Sequence, residues 1–179
     1  MDGGRFGAVD VLYPPGDGAR AALVVAADPA YSSIVEEHVA RLASAADYQP
    51  GHFYVRELPA IGAVVARTAG LDLLIVDGYV DLDPGGRPGL GAHVHSALSI
   101  PVIGVAKTAF RSATHAIPIH RGEALKPLYV TAVGLDQTDA AALVQAMAGR
   151  FRLPDALRRV DQLTRGLATP TGASTPPNG

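Results

Sequence analysis

The chain has 179 residues, no cysteine and a formal net charge of −2. These values exclude disulfides, thiol nucleophiles and thiolate zinc sites, and argue against binding nucleic acid by overall charge alone. Hydrophobic residues make up 48% of the chain, enough for one sizeable buried core, and no apolar run approaches the roughly 20 residues of a membrane span.

Residues 7–13 read as a strand, and the turn Pro14-Pro15-Gly16-Asp17-Gly18 leads into a hairpin partner at 20–27. Residues 32–43 fit either a helix, through Ile34, Val35, Val39 and Leu42, or a third strand. After a loop centred on 48–51, Leu58, Ile61, Val65 and Ala69 predict a helix over about 55–69, with Gly70 as its stop. Strands at 71–77 and 101–105 flank a helix at about 89–98, a crossover that implies parallel pairing. Two strands follow at 115–120 and 126–132, then helices from Asp136 to about 151 and from Pro154 to about 167. A single domain over 1–168 and a disordered, Pro- and Thr-rich tail over 169–179 are expected. The fold class is α/β: a mixed sheet that begins with an antiparallel hairpin and continues with parallel crossover strands, helices on both faces. The N-terminus lacks a charged-then-apolar signal pattern, so a cytoplasmic location is expected.

Three carboxylates stand beside apolar runs: Asp10 in Ala8-Val9-Asp10-Val11-Leu12, Glu57 in Tyr54-Val55-Arg56-Glu57-Leu58, and Asp77 closing Leu73-Leu74-Ile75-Val76-Asp77. Desolvating such charges is costly unless something compensates them, and a shared divalent cation would. Residues 1–100 hold 6 basic and 12 acidic side chains, whereas 101–179 hold 9 and 5. An acidic pocket with a basic flank suits metal-dependent chemistry on a phosphodiester, although a solvated basic helix face explains the second half equally well.

Six stretches, in order, give the sequence a resemblance to the endonuclease V family, whose fold is ribonuclease H-like. They are Ala8-Val9-Asp10-Val11-Leu12-Tyr13, Tyr48-Gln49-Pro50-Gly51, Arg56-Glu57-Leu58-Pro59, Leu74-Ile75-Val76-Asp77-Gly78, Ile103-Gly104-Val105-Ala106-Lys107 and Lys126-Pro127-Leu128-Tyr129-Val130. The resemblance implies cleavage of DNA or RNA near a deaminated base, chiefly inosine, with Mg²⁺ or Mn²⁺. It makes Asp10, Glu57 and Asp77 the metal-binding carboxylates and Lys107 a catalytic lysine. It makes Tyr48, Gln49, Pro50 and Gly51 a wedge beside the altered base, and Gly51 and Gly78 neighbours of the base pocket. An ammonium at Lys107 suits charge developing on a phosphate, and an aromatic on a proline turn can fill the gap left by a flipped base.

The sequence also departs from the family pattern. A family histidine after the Tyr-Val strand corresponds to Gly134, with Asp136 either a substitute ligand or the cap of the next helix. The family's Asp-Gly-x-Gly reads Asp77-Gly78-Tyr79-Val80, and Val80 is expected to narrow the base pocket or alter its backbone. Asp83 replaces a histidine before Pro84. His93 falls where the family has a histidine, in a functional or a packed role. The leading expectation is therefore a metal-dependent endonuclease, with two alternatives. One is a diverged homologue that binds nucleic acid with little cleavage. The other is a structural domain whose three carboxylates lie more than about 10 Å apart, too far to share one ion.

Overall fold

The computed structural model describes residues 3–16, 18–47, 49–50 and 52–171. Strand β1 (Phe6–Leu12) and strand β2 (Ala19–Ala26) form the expected antiparallel hairpin, Phe6 opposite Ala26 and Leu12 opposite Arg20. The open segment resolves as a strand, β3 (Ile34–Leu42), paired antiparallel to β2. Tight turn chemistry favours this outcome over a helix. Asp28 accepts backbone N–H bonds from Ala30, Ser32 and Ser33, and the buried Tyr31 hydroxyl donates to the Gly7 carbonyl at 2.8 Å. The chain is thereby turned straight back along β2.

Helix α1 (Phe53–Val65) follows, then strand β4 (Leu73–Asp77), helix α2 (Leu90–Leu98) and strand β5 (Val102–Ala106). Strand β4 pairs parallel with both β1 and β5, as the crossover requires. Strands β6 (Ile117–Ile119) and β7 (Leu128–Val133) close the far edge antiparallel. The sheet order is β3-β2-β1-β4-β5-β7-β6. Helices α3 (Gln137–Ala146) and α4 (Asp155–Thr164) end the fold.

Alternation along the strands splits the core into two layers. Ala8, Ile75, Ile103 and Val105 pack under α3 and α4 with Val144, Val160 and Leu163. Val9, Leu74, Val76 and Val102 pack on the opposite face with Ile61 and Val64 of α1 and Val94 of α2. This three-layer arrangement is the mixed α/β architecture expected, and no helix among the described residues is long and apolar enough to cross a membrane.

Three helix bounds differ from expectation. Helix α1 ends at Val65, so Ala69 is exposed and Gly70 is not its stop, while Thr68 turns out to bond Glu36. Its buried stripe is Ala60, Ile61 and Val64. Helix α3 ends at Ala146, because Met147 already leaves the helical conformation (ψ 145°), and Gly149 (φ +112°) turns the chain again before 151, where the helix was expected to end. Helix α4 ends at Thr164 rather than 167, where Gly166 takes φ +70°. Residues 169–171 lie against β3, with the Thr171 N–H donating to Glu37 at 2.7 Å. The expected tail beyond Thr171 lies outside the described residues.

Candidate active site

The parallel register Val9↔Val76 sets Asp10 beside Asp77, one residue further along adjacent strands. Asp77 in turn pairs with Val105, two residues before Lys107. Side chains alternate along strands, so Asp10 shares the face of Ala8, Asp77 that of Ile75, and Lys107 that of Val105. All three therefore stand on the α4 side, at the carboxyl ends of β4 and β5, where open parallel sheets gather their sites. The Lys107 ammonium donates to Asp77 Oδ2 at 3.1 Å. Asp10, Asp77 and Lys107 share a hollow with Leu153, Leu157 and Val160.

Glu57 arrives from the other layer. It lies on α1, which packs on the opposite face of the sheet, yet with Asp10, Asp77 and Tyr13 it lines a second hollow over the strand ends. The three carboxylates thus line one hollow at the strand ends. Their electrostatics record the proximity. Burial, then Asp10 and Asp77, push Glu57 up to about 8 against the pull of Arg56. Burial and Asp77 push Asp10 up to about 6, opposed by Lys107 and by the Val11 N–H, which donates to Asp10 Oδ1 at 3.0 Å. Burial opposes the charge on Lys107, yet Asp77, Asp10 and Asp161 together hold its pKa above the ordinary lysine value. Arg56 lies 3.7 Å from the Tyr13 ring centroid, a cation–π contact beside Glu57.

Asp161 is the residue that the sequence reading missed. It stands on α4, its charge acts on both Asp10 and Lys107, and its carboxylate also receives Arg165 Nε at 3.0 Å. The signal was present: position 161 sits within the buried or half-buried stripe Leu157, Val160 and Thr164, where an acidic residue is out of place.

Next to Asp77 opens a third hollow, of about 290 Å³, lined by Tyr54, Gly78, Tyr79, Leu82, Leu90 and Phe110 among others. Gly78 has φ +126° and nothing within 4 Å of where a Cβ would stand, so its backbone faces open space. The Tyr79 hydroxyl donates to the Thr108 carbonyl at 2.7 Å and accepts from the Phe110 N–H at 3.0 Å, which fixes the aromatic wall. Tyr54 stacks on His93 at 3.5 Å between centroids, so His93 braces that wall. Gln49 and Pro50 are exposed just before α1, while Tyr48 and Gly51 lie outside the described residues.

Three supposed departures change meaning here. Strand β7 runs antiparallel to β5, with Val133 opposite Val102, so Gly134 lies beside Pro101 at the sheet edge opposite the carboxylates. A histidine there could not reach them. Asp136 is no ligand either; it caps α3, accepting from the Thr138 and Asp139 N–H groups. Val80 does not narrow the aromatic hollow. It is fully buried against Gly91, and its N–H donates to Thr131 Oγ1 at 2.8 Å. Asp83 pairs with Arg87 at 3.3 Å.

Among the described residues no three His, Asp or Glu side chains form a ready-made cation cage. The donor set still fits a hard divalent ion. Mg²⁺ is commonly held by one or two carboxylates plus substrate phosphates rather than by an all-protein cage, and buried, mutually repelling carboxylates gain most from a counter-charge.

Comparison with known proteins agrees with this geometry. The family model for endonuclease V matches residues 4–134. The chain belongs to the endonuclease V family. Endonuclease V of Azotobacter vinelandii is 32% identical over 184 aligned residues, covering 90% of this chain and 82% of that one. The crystal structure of endonuclease V from Streptomyces avermitilis is 29% identical, with a TM-score of 0.76 over 93% of this chain and 82% of its own. A third relative, the Ciona intestinalis endonuclease V, was solved in complex with a 24mer DNA containing an inosine followed by a ribo-adenosine. It shares the fold, with a TM-score of 0.75 at 18% identity, covering 92% of this chain and 85% of that one. Endonuclease V proteins are nucleases, and this chain carries the fold over nearly its whole length.

Proposed function

We propose that this protein hydrolyses a phosphodiester bond of DNA or RNA next to a deaminated base such as inosine. The observation that carries this reading is the meeting of Asp10, Glu57 and Asp77 with Lys107 beside an aromatic hollow, in a chain of the endonuclease V family.

Asp10, Glu57 and Asp77 would hold Mg²⁺ or Mn²⁺, with Asp161 a fourth carboxylate close by. Such a cation supplies Lewis acidity toward a phosphoryl oxygen and activates water. The chain's own groups do the rest. Lys107, kept charged by Asp77, offers an ammonium to the negative charge that grows on the phosphate or the leaving oxygen. Tyr54, Tyr79 and Phe110 offer stacking surfaces to an unpaired base, and Gly78 lets backbone groups approach its edge. Tyr48, Gln49, Pro50 and Gly51 would act as the wedge that fills the vacated stack.

The test is cleavage of inosine-containing and unmodified DNA and RNA with added Mg²⁺ or Mn²⁺. Cleavage confined to inosine strands is expected, and Asp77→Asn should lower its rate at least about a hundredfold without changing the fold. A folded wild-type protein that cuts none of these strands with either metal would overturn the proposal.

A further inference from the structure

The segment between α3 and α4 is held with unusual firmness for a surface connection. Arg121 is only 4% exposed, and its guanidinium donates to the carbonyls of Phe151 (2.8 Å), Gly149 (2.9 Å) and Met147. A buried cation that bonds carbonyls instead of a carboxylate is costly, and here its donors are used to set the backbone of one loop. Gly122 adds to this, because a Cβ there would lie 2.4 Å from the Arg150 carbonyl oxygen. Arg152 ties the same loop to the catalytic edge by donating to the carbonyls of Lys107 and, at 2.9 Å, Pro127.

What this rigid loop presents outward is an aromatic ring among guanidiniums. Phe151 is 46% exposed, and the guanidinium carbons of Arg150 and Arg158 stand 4.9 and 4.6 Å from its ring centroid. They line a hollow of about 760 Å³ together with Arg152 and Leu153; the lining holds one carboxylate, Glu123, and Arg158 also pairs with Asp155 at 3.7 Å. Leu153 also lines the hollow of Asp10, Asp77 and Lys107, so the two spaces share a wall.

We propose that this hollow holds the single-stranded stretch of nucleic acid that runs on from the bond lying at Asp10 and Asp77; the inference rests on the nuclease reading above. Arg150 and Arg158 meet its phosphates, and Phe151 with the guanidinium planes stacks its bases. Planar cations around an aromatic ring suit bases better than they suit an acidic peptide, which offers charge but no ring to stack. The preset loop keeps the ordering cost of that contact low.

The experiment measures binding apart from cleavage. Fluorescence anisotropy of a labelled single-stranded oligonucleotide is followed in chelator over a range of salt, with the full chain and with variants whose melting curves match it. The double variant Arg150→Ala, Arg158→Ala should bind about tenfold more weakly, with a log–log salt slope shallower by roughly 1.4. Phe151→Ala should lose about fivefold or more with an unchanged slope, and Phe151→Trp should restore affinity. Unchanged affinity and slope in folded variants would overturn the proposal, as would oligonucleotide binding that is insensitive to them while an acidic peptide competes for the hollow. Cleavage by the wild type together with variants that bind normally defeats the hollow alone. Absence of cleavage together with weakened variant binding defeats the nuclease reading and leaves the hollow standing as a binding surface.

Discussion

Asp10 and Glu57 sit where their charges are least welcome. Burial and mutual repulsion raise them to about 6 and about 8, so without a cation each keeps its proton longer in the folded protein than in the unfolded chain. Stability therefore falls as pH rises from the ordinary carboxylate range through those values. In chelator, Glu57→Gln should raise the melting temperature at pH 8.5 by about 3 °C or more, which corresponds to roughly 1 kcal/mol or more for a domain of this size. Below about pH 4.5 the same change should be nearly neutral, because the glutamate is then protonated in the folded and the unfolded chain alike. Mg²⁺ should stabilise the wild type at pH 8.5 more than it stabilises the variant. Equal melting temperatures for the two proteins at pH 8.5 would contradict this account. These residues were legible because each interrupts or ends an apolar run. Asp161 was less so, since a helix carries charged residues routinely and only its place on the buried stripe marks it.

Elements decide whether those side chains meet. Strand β5 passes directly beneath the turn after β4, and the contact requires a residue without a Cβ. At Gly104 a Cβ would stand 2.6 Å from the Gly78 carbonyl, 2.8 Å from Thr131 Oγ1 and 2.9 Å from the Val80 nitrogen. Two of these neighbours are backbone and cannot step aside. Gly104→Ala should therefore cost about 2 kcal/mol, read from urea unfolding, and should reduce inosine-strand cleavage by displacing Gly78 and Asp77. Full activity and stability in this variant would mean that the turn adapts freely. The strands were readable from their apolar runs. The helix ends were not, because Met147 and Gly166 stop α3 and α4 through backbone turns inside stretches that still look periodic. The segment 32–43 stayed open because β3 is an edge strand whose side chains, apart from Ala40 and the ion-paired Glu37, are half-buried or exposed, so neither period dominates.

At the scale of the whole molecule, long-range polar contacts lock the edge of the sheet. Glu36 on β3 receives His38, Thr68 from beyond α1 and Arg5 from before β1, the last at 2.6 Å. The bonds from His38 first, then Thr68 and Arg5, lower its pKa to about 2. A carboxylate lowered in this way stabilises the fold above its unfolded value near 4.5 and loses that contribution as pH falls toward 2. Glu36→Gln should destabilise by about 1 kcal/mol at pH 7, allowing for solvent screening, and by progressively less below pH 4 in denaturant titrations. An effect that does not change with pH would assign the loss to packing instead. Local chemistry alone determined the class of fold, the order of most elements and the three carboxylates, since alternation, turn residues and charges inside apolar runs act over a few residues, whereas Lys107 was marked only by the family resemblance. Pairing register and layer packing act across the whole chain. Only they could bring Glu57 over the sheet edge from the opposite layer, bring the charge of Asp161 to bear on Asp10, and leave Gly134 at the far end of an antiparallel strand.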